Sequence, residues 1–277
     1  MHHLTKLVLI VSGIVLCMVD PSYSNACNCH CAHTYYCAST DDCSKAPYGS
    51  KANPGFSCKD INTNDGKQNG IYWIRLTDDE KPFPVYCDMA AGGWTMAFKA
   101  VSGVNKNVYS TYTSDQTSSE KVFAALEVSN RHFNHYKNRI VLKWQDIGPT
   151  EARVVLYEGG KVMKELKFDA KGSDKLNWFS LSRLSQSSWT DMKTQPNNFF
   201  SIRGDPGNGR HLFINSVYAG CPKDVGWMVI TVPPDCDWEK RFRPRENVIL
   251  YSKLSGLTNW NQYGNVGEAD VLAVYLR

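Results

Sequence analysis

Four groups of residues have types and spacings suited to chemistry. In VYCDMAAGGWT, residues 85–95, Cys87 stands beside Asp88 and leads into Gly92, Gly93 and Trp94. Cys87 could be a thiolate nucleophile with His132 or His135 as its base, which requires a reduced, accessible thiol of lowered pKa. The glycine pair could cradle a phosphate, but no Lys-Ser/Thr follows it and the longer glycine spacing of a dinucleotide fingerprint is missing. The third reading is a disulfide-pinned strand and turn. In CNCHCAH, residues 27–33, His30 and His33 lie among Cys27, Cys29 and Cys31. Ligands one residue apart are unusual for zinc, so a disulfide knot is favoured.

The other two groups are acidic. Asp235, Asp237 and Glu239 would share one face of a strand, inside and just after a Cys221–Cys236 loop. They are the candidate ligands for calcium, which takes about six to eight oxygens. The competing and favoured reading pairs these carboxylates with Lys240, Arg241 and Arg243. Arg203-Gly204-Asp205 is a cell-attachment tripeptide followed by Pro206-Gly207-Asn208-Gly209. Its functional reading is integrin recognition from a displayed loop, with Asp205 completing an integrin metal site. An ordinary Asp-Pro-Gly turn is favoured.

The compartment is read from the first residues. MHHLTK precedes an apolar run over residues 7–19, and small residues lead to Ala26. This is the pattern of a secretory signal peptide over residues 1–26, and its apolar run over residues 7–19 is too short to span a bilayer core of ~30 Å. We expect a secreted, extracellular chain with no membrane span. The formal net charge is +4, and removing Lys6 and Asp20 leaves it unchanged. No cationic block suggests nucleic acid. The densest, Lys240 to Arg245, is interleaved with Glu239 and Glu246. It reads as a salt-bridged loop, with weak attraction to sulfated polysaccharide as the alternative. Of ten cysteines Cys17 leaves with the signal, so nine remain. An odd number in an oxidising compartment leaves at least one for a partner chain and predicts a disulfide-linked homo-oligomer. No Asn-x-Ser/Thr sequon occurs.

The elements that must position these groups are mostly strands. Residues 27–57 form a Cys-rich head and linker holding Cys27, Cys29, Cys31, Cys37 and Cys43, and residues 58–277 suit one domain. Alternating runs at 71–76, 84–89, 94–101, 152–159, 161–168, 226–232 and 270–277 predict strands. Glu158-Gly159-Gly160-Lys161 predicts a hairpin between two of them. Helical patterns are confined to SSEKVFAALEV and a shorter one around LSRLSQSSW. The fold class is α+β and β-rich.

Cys58-Lys59-Asp60-Ile61, Asn69-Gly70-Ile71-Tyr72-Trp73-Ile74, Pro84-Val85-Tyr86-Cys87-Asp88-Met89 and Gly92-Gly93-Trp94-Thr95 follow one another in an order that resembles the start of fibrinogen-related domains. The ending NVGEADVLAVYLR, with Trp260-Asn261-Gln262-Tyr263-Gly264 before it, resembles intelectins. The chain is also similar to secreted matrix proteins of marine invertebrates, corals included. The resemblance covers roughly forty residues at one end and about twenty at the other. It implies a fibrinogen-related, intelectin-like domain and a Cys58–Cys87 disulfide. It also implies sugar binding through or beside calcium, although neither the family's calcium-loop sequence nor the intelectin glycine- and histidine-rich stretch is reproduced. Trp260 and Tyr263 would be aromatic walls against a ligand in this setting, or else core rings.

These features lead to the expectation of a non-enzymatic binding protein for glycans or matrix components. The alternative is a structural extracellular-matrix component, of a mineralised skeletal matrix among others, with cell adhesion through residues 203–205. No acid/base pair, triad or metal cluster supports an enzyme.

Overall fold

The longest alternating runs of the sequence become the longest strands. The computed structural model describes residues 46–65, 68–232 and 236–277. The head cysteines and the signal segment lie outside the described residues, as does Asp235. In chain order the elements are α1 (Cys58–Asp65), β1 (Gly70–Ile74), β2 (Phe83–Asp88), β3 (Trp94–Val101), α2 (Val108–Thr113), β4 (Tyr136–Lys137), α3 (Arg139–Leu142), α4 (Trp144–Ile147), β5 (Glu151–Glu158) and β6 (Lys161–Asp169). There follow β7 (Leu184–Ser187), β8 (Phe199–Ser201), β9 (Arg210–Val217), β10 (Val225–Thr231), α5 (Asp237–Lys240), β11 (Val248–Ser252), β12 (Thr258–Asn259), β13 (Val266–Ala269) and β14 (Val271–Leu276).

These strands form two antiparallel sheets. One runs β1-β2-β3-β14-β5-β6-β7 with β4 on β3, and the other runs β13-β11-β10-β9-β8 with β12 on β10. The C-terminal strand β14 is thus central, inserted between β3 and β5. Every residue of β3 is buried, including Lys99, whose Nζ donates to the carbonyls of Glu127 at 2.7 Å and Ser129 at 3.1 Å. Those bonds meet the requirement that a buried polar head be paired. The β5–β6 turn places Glu158 opposite Lys161 with Gly159 and Gly160 at φ +56° and +77°. Two successive positive φ values make the hairpin turn that glycine favours. The core is ring-rich: Trp144 stacks on Trp178 at 5.7 Å, and Phe168 packs on Trp178 and Phe179 at 5.3 Å each.

Three sequence expectations change in the structure. Residues 47–57 are not a free linker, because the compact unit spans Pro47–Arg277. The Tyr48 hydroxyl bonds Asp60, and Gly55 pairs with Ile74 at the β1 edge. SSEKVFAALEV is not a helix beyond a 3₁₀ turn over Phe123–Leu126. Ser118 instead bridges to Lys137, Ser119 takes φ +52°, and Glu120 turns inward to accept from Arg139. LSRLSQSSW gives a 3₁₀ turn over Leu181–Arg183 and then strand β7.

Candidate ligand-binding region around the second disulfide

The Cys87 motif is architectural. Cys58 and Cys87 form a disulfide with Cα atoms 5.4 Å apart, which removes the thiolate. His135 is buried, its Nδ1 accepting from Val101 N at 3.1 Å and its Nε2 facing the Lys106 carbonyl at 2.7 Å. Burial lowers its pKa to about 4, against a smaller upward effect of the Lys106 bond. Gly93 at φ +79° lets the turn touch α1: a Cβ there would stand 2.6 Å from Lys59 Cα. Asp88 accepts from Arg153 at 2.5 Å. The guanidinium of Arg153 lies 4.9 Å from the Trp94 ring and 4.5 Å from that of Tyr275.

The acidic motif near the second disulfide is rearranged by a buried arginine. Cys221 and Cys236 are bonded, with Cα atoms 5.3 Å apart. Asp237 and Glu239 do not share a strand face, because Asp237–Lys240 is a short helix. Positions two apart on a helix point in different directions. Asp237 reaches solvent and pairs with Lys240 at 3.2 Å. Glu239 is fully buried. Its Oε1 accepts from Arg210 Nε at 3.0 Å and from the Thr231 hydroxyl at 2.6 Å. Its Oε2 accepts from Arg210 Nη2 at 2.9 Å and from Cys236 N at 2.7 Å. Arg210 also reaches Asp224 at 3.3 Å and lies between the rings of Trp238 at 4.8 Å and Tyr218 at 5.2 Å. Burial works against the Arg210 cation, but the Glu239 bonds and charge raise its pKa above the ordinary value. These residues do not fit calcium: a fixed guanidinium already supplies the positive charge, and both Glu239 oxygens are taken. Among the described residues no three metal-type side chains converge.

The cell-attachment tripeptide lies against the same corner. Asp205 N donates to the Arg210 carbonyl at 2.8 Å, and Arg210 N returns to Asp205 O at 2.9 Å. The Asp205 carboxylate caps the 3₁₀ turn Pro206–Asn208 through Gly207 N, and it accepts from Asn208 at 2.7 Å and Tyr218 at 2.5 Å. Burial would raise its pKa, but these bonds outweigh that and hold it below the usual carboxylate value. Gly204 is buried at φ +60°. The turn chemistry read from Pro206-Gly207 is present, while the acidic group that a receptor metal would need is engaged internally. Arg203 is exposed and its carbonyl takes a bond from His211 Nδ1 at 2.8 Å.

The two candidate aromatic walls part company. Trp260 is fully buried and stacks on Trp238 at 5.5 Å, so it is a core ring. Tyr263 is 45% exposed, and the Arg241 guanidinium sits 4.1 Å from its ring. An open groove of about 370 Å³ lies elsewhere, lined by Lys143, Trp144, Asp146, Asp174 and Lys175 among others, and none of the candidate site residues contributes to it. Sequence reasoning missed Arg210 and Asp224 as the organisers of this region, and it gave Arg241 carboxylate partners where the structure sets it over Tyr263 and Phe242. Arg210 and Asp224 carry no local signal, since their partners are 14 to 29 residues away.

Fold and site together define a β-rich α+β domain closed by two disulfides, with its chemistry-bearing residues held in structural bonds. Residues 55–136 match the model of the fibrinogen beta and gamma chains, C-terminal globular domain. Over those residues the chain is similar to a fibrinogen-related domain. Such domains are non-enzymatic binding domains, typical of extracellular proteins. Among solved structures, the fibrinogen-like globe domain of human ANGPTL6 is 16% identical, covering 81% of this chain and 95% of that one with a TM-score of 0.41. That of human ANGPTL2 is 15% identical, covering 81% and 99% with a TM-score of 0.39. Lamprey fibrin D-dimer complexed with the peptide ligand Gly-His-Arg-Pro-amide is 16% identical, covering 50% and 40% with a TM-score of 0.30. No curated protein matches the chain. Among the described residues no helix is long and apolar enough to cross a membrane.

Proposed function

We propose that this is a secreted binding protein whose fibrinogen-related domain presents the loops around the second disulfide to glycans or matrix ligands. One observation carries the reading. Beside Cys221 and Cys236, Tyr263 and Arg241 are exposed and in contact, while Asp205, Glu239 and Trp260 are held in internal bonds and packing. Exposed aromatic and guanidinium groups on a rigid scaffold are what a recognition surface needs. The expected partners are found by passing the full secreted chain over glycan-coated and matrix-coated beads. Retention on either supports binding, and retention on neither ends it.

A second reading, a structural matrix component, is favoured by cysteine parity. The two disulfides use four of the nine cysteines after residue 26, leaving five in the head. An odd number cannot pair within one chain. Disulfide-linked multimers on a non-reducing gel, collapsing on reduction, are expected in both readings. Multimers that are insoluble and retained on no bead favour the structural one.

A further inference from the structure

Three loops meet next to α5, and Asn247 holds two of them together. Its Oδ1 accepts from Val108 N at 3.2 Å, while its Nδ2 donates to the carbonyls of Val104 and, at 2.9 Å, Lys106. The third loop arrives at Gly103, where a Cβ would stand 3.5 Å from the Phe133 ring and 3.8 Å from Arg245 Cδ. The resulting face carries Lys106, Arg241, Arg243 and Arg245, all exposed, beside Phe133 at 64% exposure and Tyr263 at 45%. Among the described residues its neighbouring carboxylates are Glu246 and Glu268, and Asp237 is matched by Lys240. Among the described residues the face thus carries more cations than carboxylates.

The cations are also oriented. Arg241 lies 4.1 Å from the Tyr263 ring and 4.4 Å from that of Phe242, and its Nε donates to the Trp238 carbonyl at 3.1 Å. Among the described residues no carboxylate comes within ion-pair distance of it. Arg245 is fixed by Glu268 at 2.5 and 3.0 Å and lies 5.6 Å from the Phe242 ring. A guanidinium held over a ring keeps its planar fork of donors partly pre-ordered and is weakly hydrated, which suits a multi-oxygen anion. Exposed rings between such cations offer the apolar, edge-polar surface that a sugar ring can cover.

We infer that the face formed by Lys106, Arg241, Arg243 and Arg245, with Phe133 and Tyr263, binds a sulfated polysaccharide. The inference rests on the binding reading above and names its ligand class. A sulfated chain repeats a permanent charge along its length, matching cations spread over several loops. Aromatic interleaving favours sugar over bare charge. The disulfides place the domain in an oxidising setting, outside the compartments of most nucleic acid.

The test uses the full secreted chain on heparin-agarose, eluted with NaCl. Wild type is retained, and retention falls with salt as exposed charges are screened. Arg241→Gln/Arg243→Gln/Arg245→Gln should bind roughly tenfold to hundredfold more weakly, from three exposed charge contacts. Lys161→Gln/Lys171→Gln/Lys193→Gln, with the same charge change on other exposed lysines, should bind as wild type, and melting curves confirm that both variants fold. Arg241→Lys keeps the charge but not the planar fork of donors, and is expected to weaken binding several-fold. Heparin competes and desulfated heparin does not. Equal weakening of both triple variants, equal competition by desulfated heparin, or stronger competition by duplex DNA would overturn the inference. If heparin does not retain wild type while other glycan beads do, this inference falls and the binding reading stands.

Discussion

Each sheet holds one buried arginine between two aromatic rings and two carboxylates, and the pair behaves differently. Arg153 on β5 is flanked by Trp94 and Tyr275 and meets Asp88 at 2.5 Å and Glu165 at 3.6 Å. Arg210 on β9 is flanked by Trp238 and Tyr218 and meets Glu239 and Asp224. The Arg153 carboxylates are 15% and 26% exposed, whereas those of Arg210 are 0% and 2% exposed. Arg153 Nε has no hydrogen-bond partner, while Arg210 grips Glu239 through two parallel bonds. The first cluster leans on solvent and the second must be self-sufficient. A buried ion pair adds little over an apolar core, but breaking one strands a charge. The Arg210 corner should thus be the more fragile to single substitution.

The largest expected effect is Glu239→Gln, which leaves Arg210 short of a counter-charge and should cost about 3–5 kcal/mol in urea unfolding. A loss as small as that of the exposed cluster would break the comparison. Next come the disulfides. Replacing Cys58 and Cys87 by alanine releases a closure of 29 residues and should cost about 3.5 kcal/mol, against about 3 kcal/mol for Cys221 and Cys236 with their separation of 15. Comparable denaturation midpoints for the two double variants would agree. A far larger loss at Cys221 and Cys236 would show that the Arg210 corner depends on its disulfide.

Acid adds a third contrast. Folded His135 is held near pKa 4 by burial, so as pH falls the unfolded chain takes the proton first. Its contribution is complete above pH about 6.5 and is lost on descent to about 4, up to about 3 kcal/mol in all. Burial also lowers His211, which adds slope in the same direction. Stability measured from pH 7 to 4 should fall less steeply in His135→Gln than in wild type, and parallel curves would contradict the assignment. The smallest effect is Asp88→Asn, about 1–2 kcal/mol, because its carboxylate is partly solvated and Arg153 keeps Glu165.

The same contrast explains what the sequence revealed. The opening was legible through its ordered run of family-like motifs and not through local contacts, since Cys58 and Cys87 are 29 residues apart, and VYCDMAAGGWT folds as a pinned strand and turn. Alternation located β3, β5, β6, β10 and β14 to within about a residue. It did not single out β9 or β11, where RHLFINSV and VILYS are buried on both faces and lose their period. The acidic stretch misled because alternation was assumed where a turn of helix stands. Glu239 answers to Arg210, 29 residues away, and no spacing rule contains that bond. Glu120 likewise turned SSEKVFAALEV from a helix by reaching Arg139. Tyr263 and Trp260 are alike in sequence, and only packing on Trp238 separates core from surface.

The central claim is that recognition belongs to exposed loops, while the acidic corner is an ion pair and not a metal site. The direct measurement is retention of the full chain on its glycan or heparin beads in EDTA and in calcium. Because Arg210 already occupies Glu239, retention should be the same in both buffers. Loss of retention in EDTA, restored by calcium, would contradict the account.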